Sequence, residues 1–542
     1  MMIETEYPLR VLFWEATLRC NAGCDFCGSS CGAKAVDLDG ETVVRALGRI
    51  AAAYPPDGIM VNVTGGEPLL RADLFEVMSR AHAMGFPWGI VTNGTLITDE
   101  VIRKMKQTGM RTISISIDGL GQQHEQIRKL PNSFPKIIRA IRRLAEEEFL
   151  TSIQITTVVT KRNLSALEEM YSFFSELPID SWRIAPVDEI GRCEEQRQLL
   201  LDSEELSQLL RFLDRHSFDP LRILTSCSHY LGNADTLYRP YGFSCETGKT
   251  VASILADGSV YVCPNVPRMP ELIQGNIQTD DFVTLWENGF RWFRDPDSRK
   301  CGTCAACPSW ERCHGDSVHT WDFARQEPKF CWEKHAQTLP RDVTLPERIL
   351  QAARRDADEL TGVRLSYGSS SRKTVFFTPT AAEKLYFGFS WGKLDPMNLC
   401  EQMAGMIGFI EGEKVFVTDL IPVPLQDRGE DRAVFTDELH QYVRGELALY
   451  RENLPRCPDV LTDRNGQVFL LGYLHSHPLD QKTTMSIPDL ELHRMFRAEL
   501  SEDYMTGILN PQQKELCIYW DSSFSSVDVV LLCRRQRAER FE

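Results

Sequence analysis

The sequence predicts an α/β protein in which a parallel sheet with crossover helices is followed by a cysteine-rich segment and a second α/β domain. Strand and helix patterns alternate from residue 10 to residue 190, which is typical of parallel sheets. Most of the 17 cysteines lie before residue 332, and a charged linker then precedes a new block of strand patterns. A chain of 542 residues fits about three domains.

Composition excludes several classes of protein. The net charge is −16, so the chain lacks the concentrated excess of Lys and Arg that nucleic-acid binding needs. No run approaches the roughly 18 apolar residues of a membrane span, and the opening MMIETEYPLR lacks the features of a secretory signal. We expect a cytoplasmic protein whose partner is a peptide, a protein or a small molecule, with no nucleic acid and no membrane. In the reducing cytoplasm, clustered cysteines are more plausible as metal ligands than as disulfide partners.

The first domain is predicted from six strand patterns that end in polar or glycine turns. They are VLFWEAT, GIMVNVTGG, PWGIVTNG, TISISIDG, SIQITTVVT and SWRIAPV. Amphipathic stretches such as ADLFEVMSRAHAMG and FPKIIRAIRRLAEEE lie between them, with apolar residues three and four apart. Ligands of such sheets gather at the carboxyl ends of the strands, where the first cysteine cluster falls.

That cluster, RCNAGCDFCGSSC, has an unusual spacing. Cys20-x3-Cys24-x2-Cys27 is neither the paired C-x2-C of a zinc ribbon nor the four-cysteine set of a ferredoxin. Three thiolates leave one iron of a 4Fe-4S cluster open, and an open iron can chelate S-adenosylmethionine (SAM) and reduce it to a 5′-deoxyadenosyl radical. The spacing resembles the signature of radical SAM enzymes. Cys31 lies outside the pattern, and we treat it as a spare.

A second motif ends the next strand pattern. GGEP, which begins at Gly65, resembles the motif of the same family that receives the methionine amino group of SAM. Gly65 and Gly66 permit close approach of the backbone, and Glu67 can accept a hydrogen bond from a cationic amine. The alternative interpretation is an ordinary Gly-Pro turn after a strand.

Two further strand ends carry weaker signals. Ser116 of SISIDG matches a position that often contacts SAM in related enzymes, and TNG at residues 92 to 94 ends its strand in the same way. Ser and Asn at such places are also common turn residues. The resemblance covers residues 8–215 and implies a partial (β/α)6 barrel that binds SAM and a 4Fe-4S cluster.

The middle of the chain carries another cysteine pattern. It contains C-x12-G-x4-C from Cys245 to Cys263, then Cys301, then C-x2-C-x5-C from Cys304 through Cys307 to Cys313, and finally Cys331. This resembles the SPASM extension of radical SAM enzymes, whose members mature ribosomal peptides or oxidise protein side chains. Assigned to residues 216–332, it implies one or two auxiliary 4Fe-4S clusters, which can accept an electron from a substrate radical.

The two implied auxiliary clusters have unequal ligand sets. In the family the outer cluster is held at the positions of Cys304, Cys307, Cys313 and Cys331, and this set is complete. The inner cluster would use Cys245, Cys263, an upstream cysteine such as Cys227, and a position that is Ser317 here. Either Cys301 substitutes, or the inner cluster keeps an open iron that a substrate can occupy. The alternative for the segment is a zinc knot, because the C-x2-C spacings also suit zinc.

Residues 333–373 have the composition of a linker with an embedded helix, because they combine a charged helical pattern with Pro and a Gly-Ser tract. The remaining residues, 374–542, begin a new domain. The patterns KTVFFTPTAAEKLYFGFS, AGMIGFIEGEKVFVTDLIPVP and QVFLLGYLHSHP predict a strand and a helix, a hairpin, and a further strand.

The segment LHSHPLDQKTTMSIPDLE contains a candidate metal site. His475 and His477 are two residues apart on an extended backbone, so their imidazoles face the same side. With Asp489 they complete H-x-H-P-x7-S-x2-D, which resembles the JAMM (MPN+) metalloprotease motif. The resemblance implies a cytidine-deaminase-like α/β fold and a three-ligand zinc site with a place for water. The alternative for Ser486 and Asp489 is an ordinary helix start.

The same resemblance implies the other catalytic groups. In the family a glutamate opens the segment E-x-M-G-x-x-x-G, matched here by EQMAGMIG with Glu401 in place and Ala404 at the first glycine position. Glu401 would take the proton of the attacking water, and Ser486 would hydrogen-bond the oxyanion. The alternative is that Glu401 lies exposed on a helix.

These motifs predict a bifunctional enzyme. In the first hypothesis the radical half modifies a ribosomally made peptide or protein tail, served by an electron donor such as flavodoxin or ferredoxin, and the zinc half hydrolyses an amide of the same substrate. In the second, the peptidase processes a ubiquitin-like or sulfur-carrier protein while the radical half builds a small molecule. A third makes the C-terminal domain a non-catalytic binding module, which the complete motif disfavours. Fusion favours the first, because linkage raises the effective concentration of a shared substrate.

Overall fold

The structure is a computed structural model of the chain. It describes residues 6–29, 31–32, 37–216, 219, 221–225, 228–231, 243, 245–295, 297–331, 345–366, 373–389, 403–423, 469–477, 483, 489–491, 493–494, 497, 504–511, 513–520 and 525–533. The chain forms two compact units, Met1–Thr338 and Leu339–Glu542. Within the described ranges, every helix is too short or too polar to cross a membrane.

A ten-stranded sheet forms the centre of the first unit. Its strands are β1 (Val11–Thr17), β2 (Met60–Gly65), β3 (Trp88–Thr92), β4 (Met110–Ser116), β5 (Ser152–Val159), β6 (Ser181–Pro186), β7 (Arg222–Thr225), β8 (Val251–Ile254), β9 (Ser259–Tyr261) and β10 (Gly275–Asn276). Their order is β10-β9-β8-β1-β2-β3-β4-β5-β6-β7. From β1 to β7 each strand pairs in parallel with the next. These strands therefore end at one edge, as predicted.

Helices connect the parallel strands of this unit. They are α1 (Gly40–Ala53), α2 (Leu74–Ala83), α3 (Asp99–Gln107), α4 (Gln122–Arg128), α5 (Phe134–Glu146), α6 (Leu167–Ser175) and α7 (Ser203–Arg215). Consecutive strands are neighbours, so right-handed crossovers put the helices on one face, as in a barrel. The amphipathic pattern decides which side packs inward: α5, for example, buries Ile137, Ile141 and Leu144.

The cysteine-rich segment extends the same sheet. β8 pairs in parallel with β1, and β9 and β10 continue the sheet in antiparallel pairs. Short elements follow: α8 (Phe282–Asn288), α9 (Arg291–Arg294), α10 (Trp310–Cys313), and a ribbon of β11 (Trp321–Asp322) and β12 (Glu327–Pro328). The predicted boundary near residue 216 therefore lies inside one compact unit, because the segment completes the sheet beside β1.

The second unit contains an eight-stranded mixed sheet and two helices that are described from end to end. Its elements are α11 (Leu345–Glu359), β13 (Thr361–Ser366), β14 (Thr374–Phe377), α12 (Pro379–Gly388), β15 (Met403–Glu411), β16 (Lys414–Val423), β17 (Phe469–Ser476), β18 (Met505–Asn510), β19 (Glu515–Tyr519) and β20 (Asp528–Cys533). The strand order is β13-β20-β14-β16-β15-β17-β18-β19. The predicted strand and helix, hairpin and further strand are confirmed as β14 with α12, β15 with β16, and β17.

The structure differs from the predicted linker at residues 333–373. Its helix exists as α11, but Thr361–Ser366 form β13, an edge strand that pairs antiparallel with β20. The segment TGVRLS contains only two large apolar side chains, which is too few to predict a strand from the sequence pattern. Its partner strand is far away along the chain, since Arg364 and Asp528 are 164 residues apart and form an ion pair. No local pattern indicates that pairing.

Candidate functional site

The cysteine loop and the glycine motif meet at the carboxyl edge of the first sheet. Gly66 N donates to the Thr17 carbonyl (2.7 Å). Glu67 N donates to the Arg19 carbonyl (2.8 Å). Gly65 has a φ of +126°, and a Cβ on Gly66 would lie 2.1 Å from the Arg19 carbonyl oxygen. Only glycine fits at these two positions, because the cysteine loop packs directly on the end of β2.

The Glu67 carboxylate accepts hydrogen bonds from three groups of the chain itself. Its side chain is 0% exposed, and its carboxylate accepts from Thr92 Oγ1 (2.8 Å), Asn93 N (2.8 Å) and Leu69 N (3.2 Å). Burial raises the pKa of this carboxyl, against the opposing effect of the three donors. Glu67 therefore holds the TNG turn in place, and its contact with the amino group of SAM stays a prediction.

The TNG turn is hydrogen-bonded to the cysteine loop. Asn93 Nδ2 donates to Asn21 Oδ1 (2.7 Å), and Asn21 Nδ2 donates to Thr95 Oγ1 (3.0 Å). Ser116, the last residue of β4, is partly exposed at the same edge. The positions predicted to receive SAM therefore lie at the ends of β2 and β4, on either side of this turn.

The three signature cysteines have different surroundings. Cys24 is buried, whereas Cys20 and Cys27 are partly exposed. Burial raises the pKa of the Cys20 and Cys24 thiols. A hydrogen bond from the Cys31 thiol, supported by the Arg192 guanidinium, lowers the pKa of the Cys27 thiol to about 5. Thirteen of the described cysteines are recorded as free thiols, and soft thiolates beside cationic groups suit an iron-sulfur cluster.

The four cysteines predicted to hold the outer auxiliary cluster lie together: Cys304, Cys307, Cys313 and Cys331. Cys304 is buried against Trp310 and Trp321, and burial raises the pKa of its thiol, as do the neighbouring thiols. Among the described residues, no three cysteine sulfurs lie within 4.8 Å of one another.

The predicted inner ligand set stays incomplete in the described residues. Cys301 lies close enough to Cys304 to raise the pKa of the Cys304 thiol. Ser317 is 0% exposed, and its hydroxyl donates to a backbone carbonyl. The following backbone N–H donates to Cys245 Sγ (3.4 Å). Cys227 lies outside the described residues.

A buried ionic network joins the end of β6 to the cysteine-rich segment. His229 Nε2 lies 2.8 Å from Asp188 Oδ1, and His229 Nδ1 lies 2.8 Å from Asp316 Oδ2. His319 Nε2 lies 3.3 Å from the other Asp188 oxygen. The sequence does not predict this network, because its members are tens of residues apart. The available signal was the acidic residue directly after the strand pattern SWRIAPV.

Stability of the first unit should depend on pH through His229. Burial would lower the pKa of His229, but the carboxylates of Asp316 and Asp188 outweigh burial and raise it to about 9. An unfolded histidine has a pKa of about 6.5, so the contribution, on the order of 3 kcal/mol, is complete below that pH and is lost as pH rises through about 9. Thermal unfolding followed by circular dichroism should shift to lower temperature between about pH 7 and 9.5.

His229→Gln should flatten this pH profile and lower the stability at pH 6.5. The control is His82→Gln, on the exposed side of α2, which should keep the wild-type profile. Equal pH dependence of the unfolding temperature in wild type and His229→Gln would show that protonation of His229 does not stabilise the first unit.

The second unit brings together the predicted metal ligands. His475, the next-to-last residue of β17, and His477 are 7% and 5% exposed. Their Nε2 atoms are 3.2 Å apart. Asp489 Oδ1 lies 3.2 Å from His475 Nε2, and Oδ2 lies 3.7 Å from His477 Nε2. Among the described residues, this is the one group of three His, Cys, Asp or Glu side chains whose ligand atoms all lie within 4.8 Å.

The strand pairing fixes this geometry. His477 N donates to the Leu509 carbonyl at the end of β18 (2.8 Å), and His475 pairs with Met403, the first residue of β15. Two imidazoles and a carboxylate whose ligand atoms lie this close together form a donor set that suits zinc. The predicted base Glu401 and the predicted oxyanion donor Ser486 lie outside the described residues.

Comparisons with known proteins agree with the geometry of the first unit. The model of the radical SAM superfamily matches residues 14–174, and that of the SPASM iron-sulfur cluster-binding domain matches residues 245–308. The mycofactocin maturase MftC of Mycobacterium tuberculosis is 30% identical over 376 residues, 66% of this chain and 89% of the relative. The AdoMet-dependent heme synthase of Methanosarcina barkeri is 27% identical over 353 residues, 60% of this chain and 97% of the relative.

A solved structure has a similar fold. It is anSMEcpe with bound AdoMet and the Kp18Cys peptide, which covers 64% of this chain and 99% of its own at a TM-score of 0.51 and 20% identity. At 20% identity this similarity shows the fold alone.

Proposed function

Because this chain belongs to the radical SAM superfamily and carries a SPASM iron-sulfur cluster-binding domain, we propose that it oxidatively modifies a ribosomally made peptide or protein tail and hydrolyses an amide of the same substrate. The proposal assigns residues 8–215 to the radical SAM core, 216–332 to the auxiliary-cluster domain, 333–373 to the connection and 374–542 to a JAMM-type zinc peptidase. The enzyme uses SAM and iron-sulfur clusters. An electron donor such as flavodoxin or ferredoxin would reduce them.

The radical step is proposed for the carboxyl edge of the first sheet. Cys20, Cys24 and Cys27 would hold the 4Fe-4S cluster, and the backbone of the glycine motif with Ser116 would receive SAM. Together the cluster and SAM supply one-electron reduction and hydrogen-atom abstraction. The chain contributes the placement: the buried carboxylate of Glu67 holds the turn that holds the cysteine loop, so the loop and the SAM-binding positions keep a fixed separation.

The hydrolytic step is proposed for the end of β17. The observation that supports it is the convergence of His475, His477 and Asp489 ligand atoms within 4.8 Å. A zinc ion held there would polarise an amide carbonyl and lower the pKa of water. Glu401 would carry the proton from water to the leaving amine. It lies two residues before Met403 in the sequence, and Met403 pairs with His475.

A peptide substrate is supported from both halves of the chain. The relative that is 30% identical is a maturase, and the amide hydrolysis proposed for the second unit would require a substrate with an amide bond. A covalent connection between the two chemistries raises the effective concentration of one site for a substrate leaving the other. A ubiquitin-like protein tail would satisfy the same requirements.

A second candidate is a small-molecule substrate for the radical half, with a ubiquitin-like or sulfur-carrier protein processed by the zinc half. The observation that favours it is the similarity to AdoMet-dependent heme synthases, which are 26% and 27% identical and of which 94% and 97% is covered. In this case the two halves act on different molecules. The protein that the zinc half processes then need not be the substrate of the radical half.

Mass spectrometry separates the two candidates. A peptide encoded beside the enzyme is co-expressed with it and analysed intact. Under the peptide proposal, the product of a variant without the zinc ligands should lack about two hydrogens per new crosslink or double bond, because the radical step removes one hydrogen atom and the oxidation removes the second. The wild type should give the same modification on a shortened peptide.

The control for this experiment is the variant without the signature cysteines, in which the peptide should keep its full mass. Unmodified peptide with every enzyme, together with SAM cleavage on a tetrapyrrole, would contradict the peptide proposal and favour the small-molecule candidate.

A further inference from the structure

A buried arginine contacts the cysteine loop beside one of the predicted cluster ligands. Arg128 ends α4, and its Nη1 lies 3.7 Å from Cys24 Sγ. The carbonyl of Arg128 accepts from Gly23 N (3.1 Å) and lies 4.0 Å from Cys24 Sγ. Its guanidinium also lies over the Phe26 ring, 5.4 Å from the centroid. Backbone and side chain of one residue therefore hold the loop at its buried cysteine.

Asp118 fixes the orientation of this arginine. Arg128 Nε donates to Asp118 Oδ2, and the two side chains are 13% and 0% exposed. The other carboxylate oxygen accepts from Val158 N on β5 (2.8 Å). Asn163 Nδ2 donates to the Asp118 carbonyl (2.9 Å). Because Asp118 is tied to β5 in this way, the guanidinium is held in one direction, with its second nitrogen at the Cys24 sulfur.

We infer that Arg128, oriented by Asp118, is a positioning residue that sets the reduction potential of the cluster bound by the signature cysteines. A positive charge beside a cluster stabilises the reduced form, which carries one more negative charge, and so raises its reduction potential. The carboxylate of Asp118 cancels part of that effect. Both charges act strongly because they are enclosed and water screens them little.

The two charges give shifts of opposite sign. With Arg128→Gln the midpoint potential of this cluster should fall, with Asp118→Asn it should rise, and the double variant should return toward wild type, all at unchanged iron content. Asn has nearly the shape of Asp but one acceptor oxygen, so Asp118→Asn removes the charge and one of the two hydrogen bonds, that from Arg128 Nε when the oxygen still accepts from Val158 N. A purely structural pair would not produce opposite shifts.

The measurement is an anaerobic redox titration of the full reconstituted chain followed by electron paramagnetic resonance. The signal that changes when SAM is added identifies this cluster among the auxiliary ones. Lys129→Gln is the matched control: it removes the same charge one residue later, from a side chain that is 54% exposed and pairs with Asp25. Its potential should stay close to that of wild type, because solvent and salt screen the charge.

Equal potentials in wild type, Arg128→Gln and Asp118→Asn would overturn the inference, as would shifts of the same sign. Loss of iron from Asp118→Asn would also overturn it, because the pair would then be needed for the fold of the loop. If Arg128→Gln alone does not fold, Asp118→Asn and the double variant decide the sign. The inference rests on the signature cysteines as cluster ligands; if that assignment fails, wild type itself shows no SAM-sensitive signal, which is a different outcome from unchanged potentials.

Discussion

Replacing Cys20, Cys24 and Cys27 together by Ala should remove about four irons per chain and abolish SAM cleavage, while the zinc content stays at the wild-type level. The three thiols lie on one loop at the carboxyl edge of the first sheet, and the proposed zinc ligands belong to the other compact unit. Anaerobic iron and sulfide counts, zinc analysis and chromatography of 5′-deoxyadenosine measure the three quantities.

Cys31→Ala is the matched control for the triple variant. Cys31 is on the same loop and hydrogen-bonds to Cys27, but it lies outside the signature, so its loss should leave the iron count and SAM cleavage in place. An unchanged iron count in the triple variant would mean that the auxiliary cysteines hold all the iron. Zinc lost together with iron would mean that the two metal sites are not independent.

The strands of the first sheet could be predicted from the sequence because each is a short apolar run with its own turn signal. The pattern VLFWEAT is β1 itself (Val11–Thr17), and SWRIAPV differs from β6 (Ser181–Pro186) by one residue. Helix α5 matches FPKIIRAIRRLAEEE to within two residues for a similar reason, since its apolar residues repeat at helical spacing. The local sequence is sufficient to predict a strand or helix when its buried residues repeat regularly along one face.

The contacts around the predicted ligands could not be predicted in this way. Arg128 lies 104 residues from Cys24 in the sequence, and Asp316 lies 87 residues from His229. A charged residue inside a helical pattern is most often on the solvent face, so nothing local distinguishes Arg128 from the exposed Lys129. The burial that makes such a residue important results from the way the strand ends converge.

Ser317 illustrates a third case, in which the sequence indicates a departure but not its consequence. The missing thiolate was visible in CHGDS, and the structure adds that the hydroxyl is buried and donates to a backbone carbonyl. A serine oxygen used in this way is less free to bind iron than the thiolate it replaces. Cys301, the proposed substitute, lies close enough to Cys304 to raise the pKa of the Cys304 thiol. Substitution by Cys301 and an inner cluster with an open iron both stay predictions.

Asp489→Asn and the double change of His475 and His477 to Ala should each remove zinc and hydrolysis, while iron and SAM cleavage stay at the wild-type level. Each of the three ligand atoms lies within 4.8 Å of the other two, so each of them can contribute to binding one metal ion. Even the loss of a partner that only orients a metal ligand costs about 10-fold to 100-fold in affinity or activity. Removing a ligand should therefore cost at least about a hundredfold in peptide cleavage.

Asp528→Asn is the matched control for Asp489→Asn. Asp528 is a partly exposed carboxylate of the same unit and pairs with Arg364 (3.0 Å) at the edge of the sheet. A surface pair of this kind contributes about 0–1 kcal/mol, so zinc and cleavage should both be kept. Zinc analysis and chromatography of the shortened peptide follow the two properties. Full cleavage by Asp489→Asn after zinc has been removed would contradict the zinc peptidase, because the chain would then hydrolyse the amide without the charge that these three ligands are arranged to hold.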